Sequence, residues 1–227
     1  MVSGPHADQP IERAGPDLAD ASAAMILVHG RGARASGMLG LADEIGRDDV
    51  AYVAPQAQRG SWYPNSFLAD LEANQPHLDS ALELLDETVA GVTAGTLDDA
   101  GTGDDANGDG IPLDRVVLLG FSQGGCLATE YAARNADRYG GVVALSGGLI
   151  GPEGTPREYD GSMDGTPVFI GCGDQDPHIP VDRVEESARV FEDLDAEMET
   201  RIYEGVGHTV LEDELEYVRA LVADVAD

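Results

Sequence analysis

"RVVLLGFSQGGCLATEYAARN", residues 115–135, passes from a block of branched apolar residues, through one serine among glycines, into a stretch of helical composition. An unbroken Val and Leu run of this length reads as a parallel strand buried on both faces. The segment after it reads as a helix beginning near Gly124. Between the two, Gly120, Ser122 and Gly124 satisfy G-x-S-x-G. At a strand-to-helix turn this pattern holds the serine in a strained conformation with its hydroxyl exposed, and side chains at the flanking glycines would collide with neighbouring backbone. The turn belongs at the carboxyl edge of a sheet, where the N-terminus of the following helix favours developing negative charge.

Similar apolar runs occur on both sides: 24–30, 50–55, 141–147, 167–173 and 199–205. Amphipathic patterns lie between them. Leu78, Leu82, Leu85 and Val89 form one stripe, and Leu211, Leu215, Val218, Val222 and Val225 form another. Strands alternating with helices predict an α/β fold: a doubly wound, mostly parallel sheet with helices on both faces. The length, 227 residues, suits one domain over 1–227. Residues 1–22 form an N-terminal extension or edge strands, and no internal repeat is visible.

A serine hydroxyl is a poor nucleophile at neutral pH and needs a base to take its proton and a carboxylate to hold that base. On this sheet the partners should follow in the order acid, then histidine, each on a loop after a later strand. "PVFIGCGDQDPHIP" (167–180) supplies Asp176, with Asp174 as the alternative, and "ETRIYEGVGHTV" (199–210) supplies His208. The oxyanion formed on acyl transfer needs two backbone N–H donors. Gln123, directly after the serine, gives one, and Arg31 in "HGRGA" (29–33) gives the second through its amide rather than its side chain. His29 reads as a structural histidine bonded to loop backbone.

"HGRG", "GFSQGG", "GCGDQDPHIP" and "GVGH", in this order, resemble the phospholipase/carboxylesterase family of α/β-hydrolase-fold serine esterases, over a span from about Ala23 to the C-terminus. The resemblance implies an α/β-hydrolase fold without a large lid. It also implies Ser122 as nucleophile, Asp176 as triad acid, His208 as base, Arg31 and Gln123 as oxyanion donors, and no cofactor. The substrate is then a small-molecule acyl ester of small to medium chain. The family's lysophospholipase or acyl-thioesterase activity is the alternative, and a dienelactone-hydrolase-like activity or a non-catalytic binding protein lies further off. Where this chain has "HGRGA" the family more often has an apolar residue followed by Gly-Asp. "RGSWYPNSF" (59–67) matches the region where family members line the acyl pocket, so Trp62, Tyr63 and Phe67 either hold substrate or pack the loop. His178 either faces the pocket mouth or caps its loop.

Composition bounds the partners. Acidic residues number 43 against 13 basic ones, for a formal net charge of −30, and every one of the 13 is arginine. Such a surface repels nucleic acid and anionic membranes. No apolar run reaches spanning length and no signal-peptide pattern opens the chain, so a soluble, cytoplasmic protein without membrane insertion is expected, with a homodimer open as its assembly. Cys126 and Cys172, both in apolar stretches, read as reduced core thiols. The acidic stretch 95–112 reads as a flexible exposed loop. Asp105, Asn107, Asp109 and Gly110 match the opening of a calcium loop, but Val116 stands where its bidentate Glu belongs, so no metal site is expected. Acid spread along the whole chain reads as adaptation to the salt-rich cytosol of an extreme halophile, because like charges repel unless salt shortens the screening length to roughly 3 Å near 1 M. Circular dichroism should therefore show the folded state favoured in molar KCl over dilute buffer; equal stability in both would remove the halophile reading.

Overall fold

The computed structural model describes residues 2–97 and 110–227. The calcium-loop residues Asp105, Asn107 and Asp109 and most of the acidic stretch lie outside the described residues. Seven strands form one sheet: β1 (Ile11–Ala14), β2 (Ala23–Val28), β3 (Val50–Pro55), β4 (Val116–Phe121), β5 (Gly141–Leu145), β6 (Pro167–Gly173) and β7 (Glu197–Tyr203). Their order is β1-β3-β2-β4-β5-β6-β7, with β1 antiparallel at one edge and all other pairs parallel. The order reverses between β2 and β4, so the carboxyl ends of these two strands open a crevice at that point. Two strands have the bounds read from sequence. The rest differ by one or two residues at their ends because residues such as His29, Gly30, Ser146 and Gly147 leave the sheet to form turns.

Helices cover both faces: α1 (Ala35–Met38), α2 (Gly40–Ile45) and α6 (Glu212–Ala226) on one, α3 (His77–Ala94), α4 (Gln123–Arg134) and α5 (Val181–Asp193) on the other. This is an α/β-hydrolase fold. The two helices with a predicted stripe, α3 and α6, bury it slightly rotated. Leu78, Leu85 and Val89 of α3 are buried as expected, whereas Leu82 is only partly so; Ala81 faces the core instead, because its small side chain lets the helix approach the sheet. In α6, Val218 and Val222 are joined by Leu221 and Ala226, while Leu215 and Val225 sit at the margin. No helix among the described residues is long and apolar enough to cross a membrane.

Between β5 and β6 the chain forms no helix but an irregular arm over 146–166. Buried irregular backbone needs polar partners, and arginines supply them. Arg183 Nη1 donates to the carbonyls of Leu149 and Gly151 at 2.7 Å each. Arg157 donates to the Ile150 carbonyl at 2.8 Å and pairs with Glu186 at 2.9 Å. Glu130 accepts the Ile150 amide at 2.9 Å.

The opposite face holds a buried acid. Glu214, 1% exposed, accepts the Leu211 amide at 2.8 Å and lies so close to Gly171 that a Cβ there would meet its Oε1. Burial pushes its carboxyl up to about 7 from 4.5, opposed by the bond from the Leu211 amide. The stability Glu214 contributes is therefore complete below its ordinary value and is lost as pH rises through about 7. Glu214→Gln keeps the acceptor and removes the charge. It should match the parent protein near pH 4 and exceed it at pH 8.5 by about 3 kcal/mol, read from urea melts at both pH values.

Candidate active site

β4 ends at Phe121 and α4 begins at Gln123, so Ser122 alone spans the reversal, at φ 56° and ψ −120°. Non-glycine residues rarely adopt such angles, and surrounding structure must enforce them. A Cβ at Gly120 would lie 2.2 Å from the Gly124 carbonyl oxygen, and one at Gly124 would lie 2.0 Å from that of Val28. Only glycines allow strand and helix to close this tightly. The Ser122 amide donates to the Leu145 carbonyl at 2.9 Å, tying the turn to β5.

Two distant loops meet this serine. His208, beyond β7, has Nε2 at 2.8 Å from Ser122 Oγ and Nδ1 at 2.6 Å from Asp176 Oδ2. An ionised carboxylate only accepts, so Nδ1 carries the ring proton and Nε2 presents its lone pair to the hydroxyl. The Asp176 side chain is fully buried, and its Oδ1 accepts the amides of His178 at 2.8 Å and Ile179 at 3.1 Å. Burial pushes this carboxyl up, but the bonds from His208 and the two amides outweigh it and hold the group below the usual carboxylate range. Asp174, the alternative acid, is turned to the Gly205 amide at 2.7 Å and braces the loop that carries His208. The His208 ring packs between Phe121 and the edge of His178, each 4.9 Å away between centroids.

A cavity of about 530 Å³ opens at Ser122, with Tyr63, Phe67, Phe121 and Ile179 among its apolar walls and Arg31, Asn65 and His178 among its polar ones. Cys126 also borders it, but burial pushes that thiol up to about 12, so it stays protonated and unreactive. Of the two roles open to Trp62, holding substrate or packing the loop, the structure gives it the second, and it is not among the residues that line the cavity. It lies behind the wall, because its indole N–H is satisfied by the His29 carbonyl at 2.7 Å and its ring packs on His29 at 4.8 Å.

The two residues expected to offer oxyanion amides both lie beside Ser122 in the structure. Gln123 is the first residue of α4, where an amide has no intrahelical acceptor. Gly30 packs against the elbow, since a Cβ there would lie 3.4 Å from Ser122 Cβ, and Arg31 follows it. The side chains of both expected donors have a second task that sequence alone did not reveal. Gln123 Oε1 accepts the Trp62 amide at 3.0 Å and its Nε2 donates to the Tyr63 carbonyl at 2.8 Å. The Arg31 guanidinium donates to the carbonyls of Pro64 at 3.0 Å and Asn65 at 2.5 Å. Together they clamp the pocket wall.

Two fully buried histidines stand behind that wall. His29 donates from Nδ1 to the Gly30 carbonyl at 2.8 Å and accepts the Ala57 amide on Nε2 at 3.1 Å, the backbone role expected of it. His6, which carried no signal in the sequence, donates from Nε2 to the Trp62 carbonyl at 2.8 Å and accepts the Gln58 amide on Nδ1 at 3.0 Å.

A sequence model described as phospholipase/carboxylesterase matches residues 17–225. A phospholipase/carboxylesterase from Dyadobacter fermentans has a similar structure, with a TM-score of 0.85 at 39% identity, covering 98% of this chain and 100% of that one. A carboxylesterase from Bacillus cereus shares the fold with a TM-score of 0.73 at 17% identity, covering 96% of this chain and 95% of its own. Acyl-protein thioesterase 1 of Saccharomyces cerevisiae is 32% identical over 115 residues, 50% of this chain and 51% of that protein, so the match spans about half of that relative.

Truncating Gln123 to alanine leaves the buried Trp62 amide unpaired and the Tyr63 carbonyl with the Ser61 hydroxyl alone, while keeping the Gln123 backbone N–H. Gln123→Ala should lower stability by about 1–3 kcal/mol in urea denaturation; a variant as stable as the parent would show that the clamp bears no load.

Proposed function

The chain belongs to the phospholipase/carboxylesterase family, and from that premise we propose that it is a serine carboxylesterase hydrolysing small to medium acyl esters through an acyl-Ser122 intermediate. The observation that carries this reading is the continuous hydrogen-bonded line from Asp176 through His208 to Ser122 at the cavity wall. His208 Nε2 takes the Ser122 proton as Oγ attacks the acyl carbon. Asp176 holds the ring in the required tautomer and stabilises the imidazolium. The carbonyl oxygen, now negative, is received by the amides of Gln123 and Arg31, each donor contributing about 3 kcal/mol by analogy with measured cases. Collapse expels the leaving oxygen, protonated by His208, and a water activated by the same ring releases the acid. The apolar walls, Tyr63 and Phe67 among them, seat the acyl chain, and His178 stands at the mouth beside the base.

A thioester is the second reading, supported by the acyl-protein thioesterase named among the relatives and by chemistry that treats oxygen and sulfur leaving groups alike. Cysteine-dependent hydrolysis finds no support, since Cys126 is a buried, protonated thiol.

A fluorophosphonate probe should label the native protein and not Ser122→Ala. On p-nitrophenyl esters, Ser122→Ala and His208→Ala should lose about a thousandfold or more in kcat. Asp176→Asn should lose far more than Asp174→Asn; the reverse ranking would reassign the acid, and an unlabelled Ser122 in a folded protein would remove the enzyme reading.

A further inference from the structure

Phe67 forms part of the apolar wall of the acyl cavity, yet it stands on irregular backbone: residues 61–70 contain neither helix nor strand. The place of its ring is therefore set from outside the segment. Two contacts come from one assembly. The Phe67 carbonyl accepts the Gly151 amide at 2.7 Å, and the guanidinium carbon of Arg183 stands 5.8 Å from the centroid of the Phe67 ring. The assembly closes on itself, because Arg183 Nη1 also donates to the Gly151 carbonyl at 2.7 Å. Gly151 thus turns its N–H to Phe67 and its carbonyl to Arg183, at φ 117°, a conformation that favours glycine.

Arg183 is buried, and its other bonds fix it in place: Nε donates to Glu186 at 2.8 Å, and Nη1 reaches the Leu149 carbonyl as well. Glu186 is itself held from the far side by Arg157 at 2.9 Å. Burying a cation is costly unless it is paired and hydrogen-bonded, and an apolar residue would fill the same space without that cost. What an apolar residue lacks is the planar fork, which spans two carbonyls, a carboxylate and the face of a ring in one orientation. Arg183 also lies in the first turn of α5, directly beyond the loop that carries Asp176 and the cavity residue Ile179. The triad acid and the Phe67 wall are referred to one helix end.

We propose that Arg183 is a positioning residue that limits acyl-chain length by holding Phe67 against the cavity. Chain length has meaning only under the acyl-serine reading, on which the proposal rests. The readout is the ratio of kcat/KM for p-nitrophenyl decanoate to that for p-nitrophenyl butyrate, which a loss of stability alone does not move. Phe67→Ala, which removes the wall, should raise this ratio about tenfold, and Arg183→Met, which releases the wall, should raise it by about as much. The double variant should match Phe67→Ala rather than the product of the two single effects, because Arg183 acts through Phe67. Arg183→Lys keeps the cation without the fork and should fall between the native protein and Arg183→Met. Hydrogen exchange at the Gly151 amide, which needs no turnover, should quicken about tenfold in Arg183→Met. A folded Arg183→Met with the native ratio overturns the proposal, and so does a double variant whose effects multiply. Where methionine at this buried position prevents folding, a native ratio in Arg183→Lys overturns it equally. Failure of the native protein to cleave either ester would instead remove the acyl-serine reading, while faster exchange at Gly151 would still record the link from Arg183 to Phe67.

Discussion

Everything at the candidate site depends on the near contact of three backbone segments around Ser122. β4 descends to it, α4 departs from it, and the end of β2 presses from the side, with no space for a methyl group at Gly120 or Gly124. This compression fixes the Ser122 hydroxyl relative to the sheet, and the sheet in turn fixes the loops beyond β6 and β7. Asp176 and His208 are separated from the serine by 54 and 86 residues of chain, yet parallel strands bring their loops to one edge. A hydrogen bond of 2.8 Å between Oγ and Nε2 is thus a property of strand order rather than of local sequence.

Around that rigid centre the pocket is assembled from pieces that have little stability of their own. The 57–67 segment is largely irregular and lies against the body of the protein through backbone groups. It accepts bonds from the Gln123 amide side chain, the Arg31 guanidinium and His6, and donates to His29. The arm over 146–166 is held in the same manner by Arg183, Arg157 and Glu130. Burying irregular backbone is unfavourable unless each polar group finds a partner, and arginine with its five donors suits the task. In a chain that contains no lysine, much of its scarce positive charge serves to hold loops.

The sheet and its edge chemistry were legible because they follow local rules. Val and Ile runs mark strands buried on both faces, and glycines on either side of a serine mark a turn that excludes side chains. The choice between Asp174 and Asp176 was not decided by spacing, since both follow β6 closely; only the path of the loop turns one to Gly205 and the other to His208. The role of Trp62 stayed open for a related reason. An aromatic residue in a pocket-forming loop has equal apolar character facing in or out, and the indole N–H found its acceptor on the far side. The second tasks of Arg31 and Gln123, and the insertion of His6, join residues far apart in the chain and leave no periodicity to read.

The two histidines behind the wall have a consequence for acidity. Each accepts an amide proton on a ring nitrogen, which an imidazolium cannot do, and burial holds both below the ordinary histidine range. Their contribution is complete above the unfolded value of 6.5 and is lost as pH falls through the lowered folded values, opposite in sign to that of Glu214 on the other face. Dissolved ions soften repulsion among surface carboxylates but do not reach rings with no solvent exposure. Brine and acid therefore act on separate parts of the molecule: one on its skin, the other on the masonry behind the substrate chamber.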